Sequence, residues 1–386
     1  MSGKSNRTLW ITLVVAVVAI VVVLALTGVF KKGGAQEVKI GIVVPLTGPV
    51  AVYGEGVRDG ALLAIDEINA AGGVNGIKLV PVVEDNKADG AETSNAMNKL
   101  ITRDKVAAII GPVISATANV AGPIAVRERI PMITPTATAI EVTDAGEYVS
   151  RTCFLDSYQG SVMAIFCREE LKAEKAAIIF DVANDYSIGL KDVFAATFAE
   201  LGGEVVEIVS YTGGDTDFNA QLTRIKAANP DVIYLPAYYS DDVLFLRQAR
   251  NLGITATFTG ADGWDAQELI DGAGELAEGC YFTTHYTPTD PSEGVQNFLA
   301  NYQKKYGKFP IVLAALGYDA AKMLADAIER ADSVDPDKIK DAINSTTDFP
   351  GITGMITLDE KRNPYKEITI ATVKNGKFEL VTKLRP

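Results

Sequence analysis

The stretch KIGIVVPLTGPVAVYGEG, Lys39–Gly56, decides the fold of this chain. Its first half is a β-rich apolar run, with Val38, Ile40, Ile42 and Val44 on alternate positions, and it halts at Pro45. After Gly56 the period changes, and the apolar positions Val57, Ala61, Ile65 and Ile68 trace one face of a helix. The order is therefore strand, long Pro/Gly loop, helix, with Tyr53 near the tip of the loop. In an open α/β sheet such a loop lies at the carboxyl edge of the strands, where these sheets bind ligands. Gly54–Gly60 does not carry a dinucleotide fingerprint, because its glycine spacing is off by one and the connection is too long for the tight turn.

The same alternation runs outward from this segment. Strand-like Leu79–Val83, Val106–Ile110 and Pro131–Ile133 alternate with helical Ala91–Ile101 and Ala118–Arg127. A second series starts near Asp156: helical Ser161–Leu171, Leu190–Leu201, Phe218–Ala228 and Val243–Leu252 alternate with strand-like Ala176–Phe180, Val205–Val209 and Val232–Leu235. Crossover connections of this kind make mostly parallel sheets covered on both faces. Three helical patterns, Gly294–Tyr306, Val312–Arg330 and Pro336–Asn344, then follow without strands between them. Ile368–Val373, Asn375-Gly376 and Phe378–Val381 read as a closing hairpin on a type I′ turn. With 386 residues and 48% hydrophobic content the chain fills two cores.

Bulk properties exclude several functions. A net charge of -13 leaves no basic face for nucleic acid. Cys153, Cys167 and Cys280 form no metal-binding spacing, and the lone histidine, His285, rules out multi-histidine zinc sites, so neither a metal nor a cofactor is expected. Leu9–Phe30 is a run of 22 uncharged residues between Lys4/Arg7 and Lys31/Lys32. As a helix it would span about 33 Å, enough for a bilayer core, and its length favours an uncleaved membrane anchor over a removed signal peptide. Either way the chain is exported.

Candidate binding residues gather at the strand ends. Ser115 and Thr117 follow strand Val106–Ile110 at the start of a helix, where free N–H groups attract an anion; an ordinary helix cap would use the same side chains. Thr134, Thr136 and Thr138 alternate along an extended loop and are expected to present their hydroxyls together. In the second half, Asp185-Tyr186, Tyr238-Tyr239 and Asp262, with Trp264 beside it and a helix starting near Asp265, supply an acid and aromatic faces suited to an ammonium group. Hydroxyls on one rim and an acid on the other describe a divided site for a zwitterion such as an amino acid. Catalysis finds no support: Ser115 lacks the flanking glycines of a nucleophile elbow, and Cys153 has only His285 as a conceivable base.

These segments, in this order, resemble the type I periplasmic-binding-protein family, specifically the leucine/isoleucine/valine-binding components of branched-chain amino-acid ABC transporters. The resemblance rests on PLTGP (Pro45–Pro49) with Tyr53-Gly54, INAAGG (Ile68–Gly73), Asp85-Asn86, Gly111-Pro112 with Ser115, TPTAT (Thr134–Thr138), Gln159-Gly160, Tyr238-Tyr239 and GADGWD (Gly260–Asp265). It implies two Rossmann-like lobes joined by a three-stranded hinge, the first from 37–156 and 287–361, the second from 157–286 and 362–386, with 1–36 as anchor and tail. It implies that Ser115, Thr138 and the Thr136 carbonyl hold the ligand's α-carboxylate and α-ammonium. Tyr53 flanks the side chain, Tyr186 and Tyr238 close over it, and Asp262 pairs with the ammonium. The implied partners are an amino acid and an ABC permease, and the implied state is a monomer. Two departures stand out: well-known members have Glu where this chain has Asp262, and a disulfide-forming Cys where it has Ile114. The alternative from another class is a ligand-sensing ectodomain for an amino acid or amide, which neighbouring genes would distinguish.

Overall fold

In the computed structural model the described residues are 36–385. The apolar segment Leu9–Phe30 lies outside them; among the described residues no helix is long and apolar enough to cross a membrane. Fourteen strands are assigned within the described residues. Strands β1 (Glu37–Val44), β2 (Lys78–Asp85), β3 (Ala108–Ile110), β4 (Met132–Thr134) and β5 (Val149–Arg151) form one sheet in the order β2-β1-β3-β4-β5. β6 (Lys175–Asp181), β7 (Glu204–Tyr211), β8 (Val232–Tyr234), β9 (Thr257–Gly260) and β10 (Tyr281–Thr284) belong to a second sheet. A small hairpin, β11 (Phe349–Gly351) and β12 (Gly354–Ile356), precedes β13 (Ile368–Lys374) and β14 (Lys377–Leu384), which complete the second sheet in the order β14-β13-β10-β9-β8-β6-β7. Pairing from β10 through β7 is parallel, whereas β13 runs antiparallel to β10 and β14 to β13. Asn375 (φ 52) and Gly376 (φ 66) both take positive φ, as the type I′ turn requires.

The central strands of each sheet are buried on both faces, and the period of two shows why. Ile40, Ile42, Val44 and Ile110 pack toward the helices Ala51–Ala70 and Val312–Ala331, while their neighbours Val43 and Ile109 pack toward the helix Ser115–Glu128. In the second sheet Ala176 and Ile178 face one core and Ala177 and Ile179 the other. All three cysteines are buried and unpaired, their thiols pushed up to about 12 by burial.

One expectation from the sequence needs correcting. The helix after β1 does not begin beyond Gly56; it spans Ala51–Ala70, so Tyr53 stands on its first turn and not at a loop tip. Its glycines suggest a loop but serve close packing. A Cβ on Gly60 would stand 1.8 Å from the Ala314 carbonyl oxygen, and one on Gly317 would stand 2.3 Å from the Val57 carbonyl oxygen. The helices Ala51–Ala70 and Val312–Ala331 thus meet backbone to backbone. The same early start recurs at Ser115, Asp156, Asp185 and Tyr239, where polar or site residues occupy first turns that apolar periodicity cannot register.

Candidate functional site

The carboxyl edge of the first sheet supplies one wall. β3 leads through Val113 and Ile114 to the helix Ser115–Glu128, whose N-cap is Ile114, with no side-chain cap. Neither Ser115 nor Thr117 serves as a cap: the Ser115 Oγ accepts from the Ala139 N–H at 3.2 Å, and the Thr117 hydroxyl donates to the Ile114 carbonyl at 3.0 Å. The first N–H groups of this helix, which no earlier carbonyl can satisfy, therefore remain for an anion.

The threonine loop behaves differently from expectation. The Thr134 hydroxyl donates to Pro112 O at 2.7 Å, the Thr136 hydroxyl donates to Val113 O at 2.5 Å, and the Thr138 hydroxyl bonds the Asp156 carboxyl. The Thr134 and Thr136 hydroxyls brace the loop against the Pro112 and Val113 carbonyls, so the three hydroxyls do not face the cleft together. Alternation along a strand does not survive in a loop that turns at Pro135.

The second wall comes from the other sheet. Past β9 the chain makes a short 3₁₀ turn, Asp262–Trp264, and the next helix is Gln267–Ala273 rather than one starting near Asp265. Asp262 is buried, and three donors hold its carboxylate: Gln159 Nε2 (3.1 Å) and the Tyr186 hydroxyl (3.0 Å) on Oδ1, and His285 Nε2 (3.1 Å) on Oδ2. Gln159 Oε1 also accepts from the Asp262 N–H. Burial pushes the Tyr186 phenol far up, and the nearby Asp262 charge adds to it. Burial pushes Asp156 up to about 8 against hydrogen bonds from Thr138 and Gln159, so it keeps its proton at neutral pH. Trp264 does not border the site: it is fully buried and its indole N–H donates to Leu235 O at 2.9 Å.

Tyrosines close the gap between the walls. Tyr186 stacks on Tyr238 (centroids 5.3 Å apart, 15°), and Tyr53 meets Tyr238 edge-on at 5.8 Å. The Tyr53 hydroxyl donates to Gly263 O and accepts from the Tyr239 N–H at 3.3 Å; Asn119 Nδ2 donates to Asp185 Oδ2 at 2.8 Å nearby. Tyr53, Ser115, Thr136, Thr138, Tyr186, Tyr238 and Asp262 all border one cavity, together with Val113, Ile114, Gly263 and Leu313, and its water-accessible volume is about 20 Å³. That holds about one water, so an amino acid fits only where the walls or their side chains move apart. Sequence reasoning missed the apolar trio Val113, Ile114 and Leu313, and it passed over Gln159, Asp156 and His285 as site residues. Only the Gln159-Gly160 pair carried a signal, and it was a family motif without an assigned role.

Comparison with known proteins agrees with this architecture. A family model described as periplasmic binding protein matches residues 37–377. A leucine-, isoleucine-, valine-, threonine- and alanine-binding protein of Pseudomonas aeruginosa is 36% identical over 85% of this chain and 87% of its own length. Among solved structures, the leucine-binding protein LivK of Thermotoga maritima superposes with a TM-score of 0.87 at 41% identity, covering 90% of this chain and 99% of that one. The branched-chain amino-acid substrate-binding protein LivJ of Streptococcus pneumoniae, in complex with isoleucine, gives 0.87 at 34% identity over 91% and 100%.

Proposed function

Because the chain belongs to the periplasmic binding protein family, we propose that it captures a branched-chain or similar amino acid outside the cytoplasm and delivers it to the permease of an ABC transporter. The observation that carries this reading is the single cavity with an uncapped helix N-terminus at Ser115 on one side and the Asp262 carboxylate on the other. The first suits an α-carboxylate and the second an α-ammonium, while Val113, Ile114 and Leu313 offer an apolar seat for a side chain.

In this proposal the lobes are 37–156 with 287–361 and 157–286 with 362–386, and they close on the ligand. Ser115, Thr138 and the Thr136 carbonyl hold the amino-acid head group from the first lobe; Tyr186, Tyr238 and Asp262 meet it from the second, and Tyr53 flanks its side chain. Closure follows because a ligand touching both walls favours the closed form by its differential affinity. The protein acts by binding and release rather than by catalysis. Leu9–Phe30 serves as the export signal and membrane anchor, leaving the binding body extracytoplasmic. Titration calorimetry with L-leucine, L-isoleucine and L-valine against L-glutamate and L-lysine tests the assignment. Saturable binding of the first three supports it; binding of none, or preference for a charged side chain, refutes it.

A further inference from the structure

We infer that His285 is the positioning residue that aims the ammonium-reading oxygen of Asp262 and fixes it to the segments joining the two sheets. The inference rests on the amino-acid-binding reading above and deepens it. A carboxylate offers about two acceptor positions on each oxygen. On Asp262, Oδ1 already receives Gln159 Nε2 and the Tyr186 hydroxyl and is full. Oδ2 receives His285 Nε2 alone, at 3.1 Å. One acceptor position remains, on Oδ2, so a ligand ammonium meets the oxygen whose direction His285 sets.

The imidazole is itself immobilised. It stacks on Phe154 with centroids 3.9 Å apart and planes at 16°, and its side chain is 1% exposed. Asp262 can only accept, so the proton sits on Nε2; Nδ1 is buried with no hydrogen-bond partner. Burial holds the imidazole below its ordinary pKa, opposed by the Asp262 hydrogen bond, with Lys366 and Asp319 as the further charges facing it. His285 is therefore a neutral donor at pH 7.

Its surroundings tie this donor to the frame. Phe154 lies between β5 and β6, His285 follows β10, and Lys366 precedes β13, so each inter-sheet passage contributes one residue. Lys366 Nζ donates to Thr152 O at 3.0 Å, fastening the third passage to the first. The result is a ligand-reading oxygen supported from the joint about which the two walls would move.

As the only histidine of the chain, His285 can be read directly in the wild-type protein. Nitrogen-15 NMR of histidine-labelled protein at pH 7 should show one neutral imidazole protonated at Nε2, and its Nε2 resonance should move on adding L-leucine but much less on adding the 2-oxo acid of leucine, which lacks the ammonium. An Nδ1-protonated or doubly protonated ring overturns the inference. In parallel, His285→Leu should weaken L-leucine binding by about ten- to hundredfold, the span expected for a hydrogen bond to a charged group, while 2-oxo-acid binding changes less than about threefold. His285→Gln, which keeps an N–H donor, should recover most of the loss. Equal losses for both ligands, or no rescue by Gln, mean that His285 supports the fold only. Wild-type protein that binds no amino acid overturns the functional reading as well, whereas wild-type binding with an indifferent His285→Leu variant overturns only this inference.

Discussion

Tyr53→Phe removes one oxygen from the contact that closes the cleft, and its effect can be worked from the geometry. The Tyr53 hydroxyl donates to Gly263 O and accepts from the Tyr239 N–H, so it satisfies two backbone groups of the opposite wall at once. The ring keeps its edge contacts with Tyr238 (5.8 Å) and Tyr239 (5.3 Å), so packing is preserved. Tyr239 is half-buried, and water replaces its lost partner; Gly263 is buried, and its carbonyl is left unpaired. One unpaired buried group costs about 1–3 kcal/mol. Were the cleft open, water would satisfy both groups, so the cost falls on the closed form alone. The dissociation constant for L-leucine should rise by about 5- to 150-fold, through faster release, while the melting temperature without ligand stays within about 1 °C. Calorimetry and stopped-flow release on the same preparation measure both. An unchanged dissociation constant, or a melting temperature that falls with the affinity, refutes the assignment of this hydroxyl to closure.

Asp262→Asn keeps the shape but removes the charge and one acceptor oxygen, so L-leucine binding should fall by at least about tenfold in calorimetry with the fold retained. Asp242 is fully buried, both its oxygens lack partners, and burial raises its pKa well above the ordinary carboxylate range. Its folded form holds a proton that the unfolded chain releases near pH 4, so it costs stability increasingly as pH rises from there toward its folded pKa. Asp242→Asn should therefore match the wild type in thermal melts at pH 4 and melt higher at pH 8; a lower melting temperature at pH 8 contradicts this. Gly60→Ala forces a Cβ to within 1.8 Å of Ala314 O, and overpacking of about 1–3 kcal/mol should lower the melting temperature by several degrees, with no effect only if the two helices separate freely.

Much of the framework was legible because parallel sheets buried on both faces write themselves as apolar runs, and Ile40, Ile42 and Val44 do so plainly. The helix Pro336–Asn344 and the terminal hairpin were readable from the Pro and Asn-Gly signals at their ends. What escaped was written in contacts between distant segments. Gly54, Gly56 and Gly60 signal a loop to any local rule, and only their close neighbours in the fold explain them as helix: the Pro45 carbonyl against Gly54, and, more than 250 residues later, the Ile311 side chain against Gly56 and the Ala314 backbone against Gly60. Short β5 and β9 have too few residues to announce a period.

The site followed the same division, for a physical reason. Its acid and tyrosines were visible because polar and aromatic residues at strand ends are conspicuous against apolar strands. Their support was not, because Gln159 and His285 act through bonds to Asp262 across 103 and 23 residues of chain. A lone histidine reads from sequence as the absence of a metal site; in the folded protein it is a neutral donor stacked on Phe154 and aimed at the acid. The chemistry of recognition at such a cleft is therefore set in two layers: residues that can touch a ligand, chosen by side-chain type, and residues that decide how many acceptor positions the first layer leaves open. On Asp262 that number is one, enough for one of the three N–H donors of a primary ammonium.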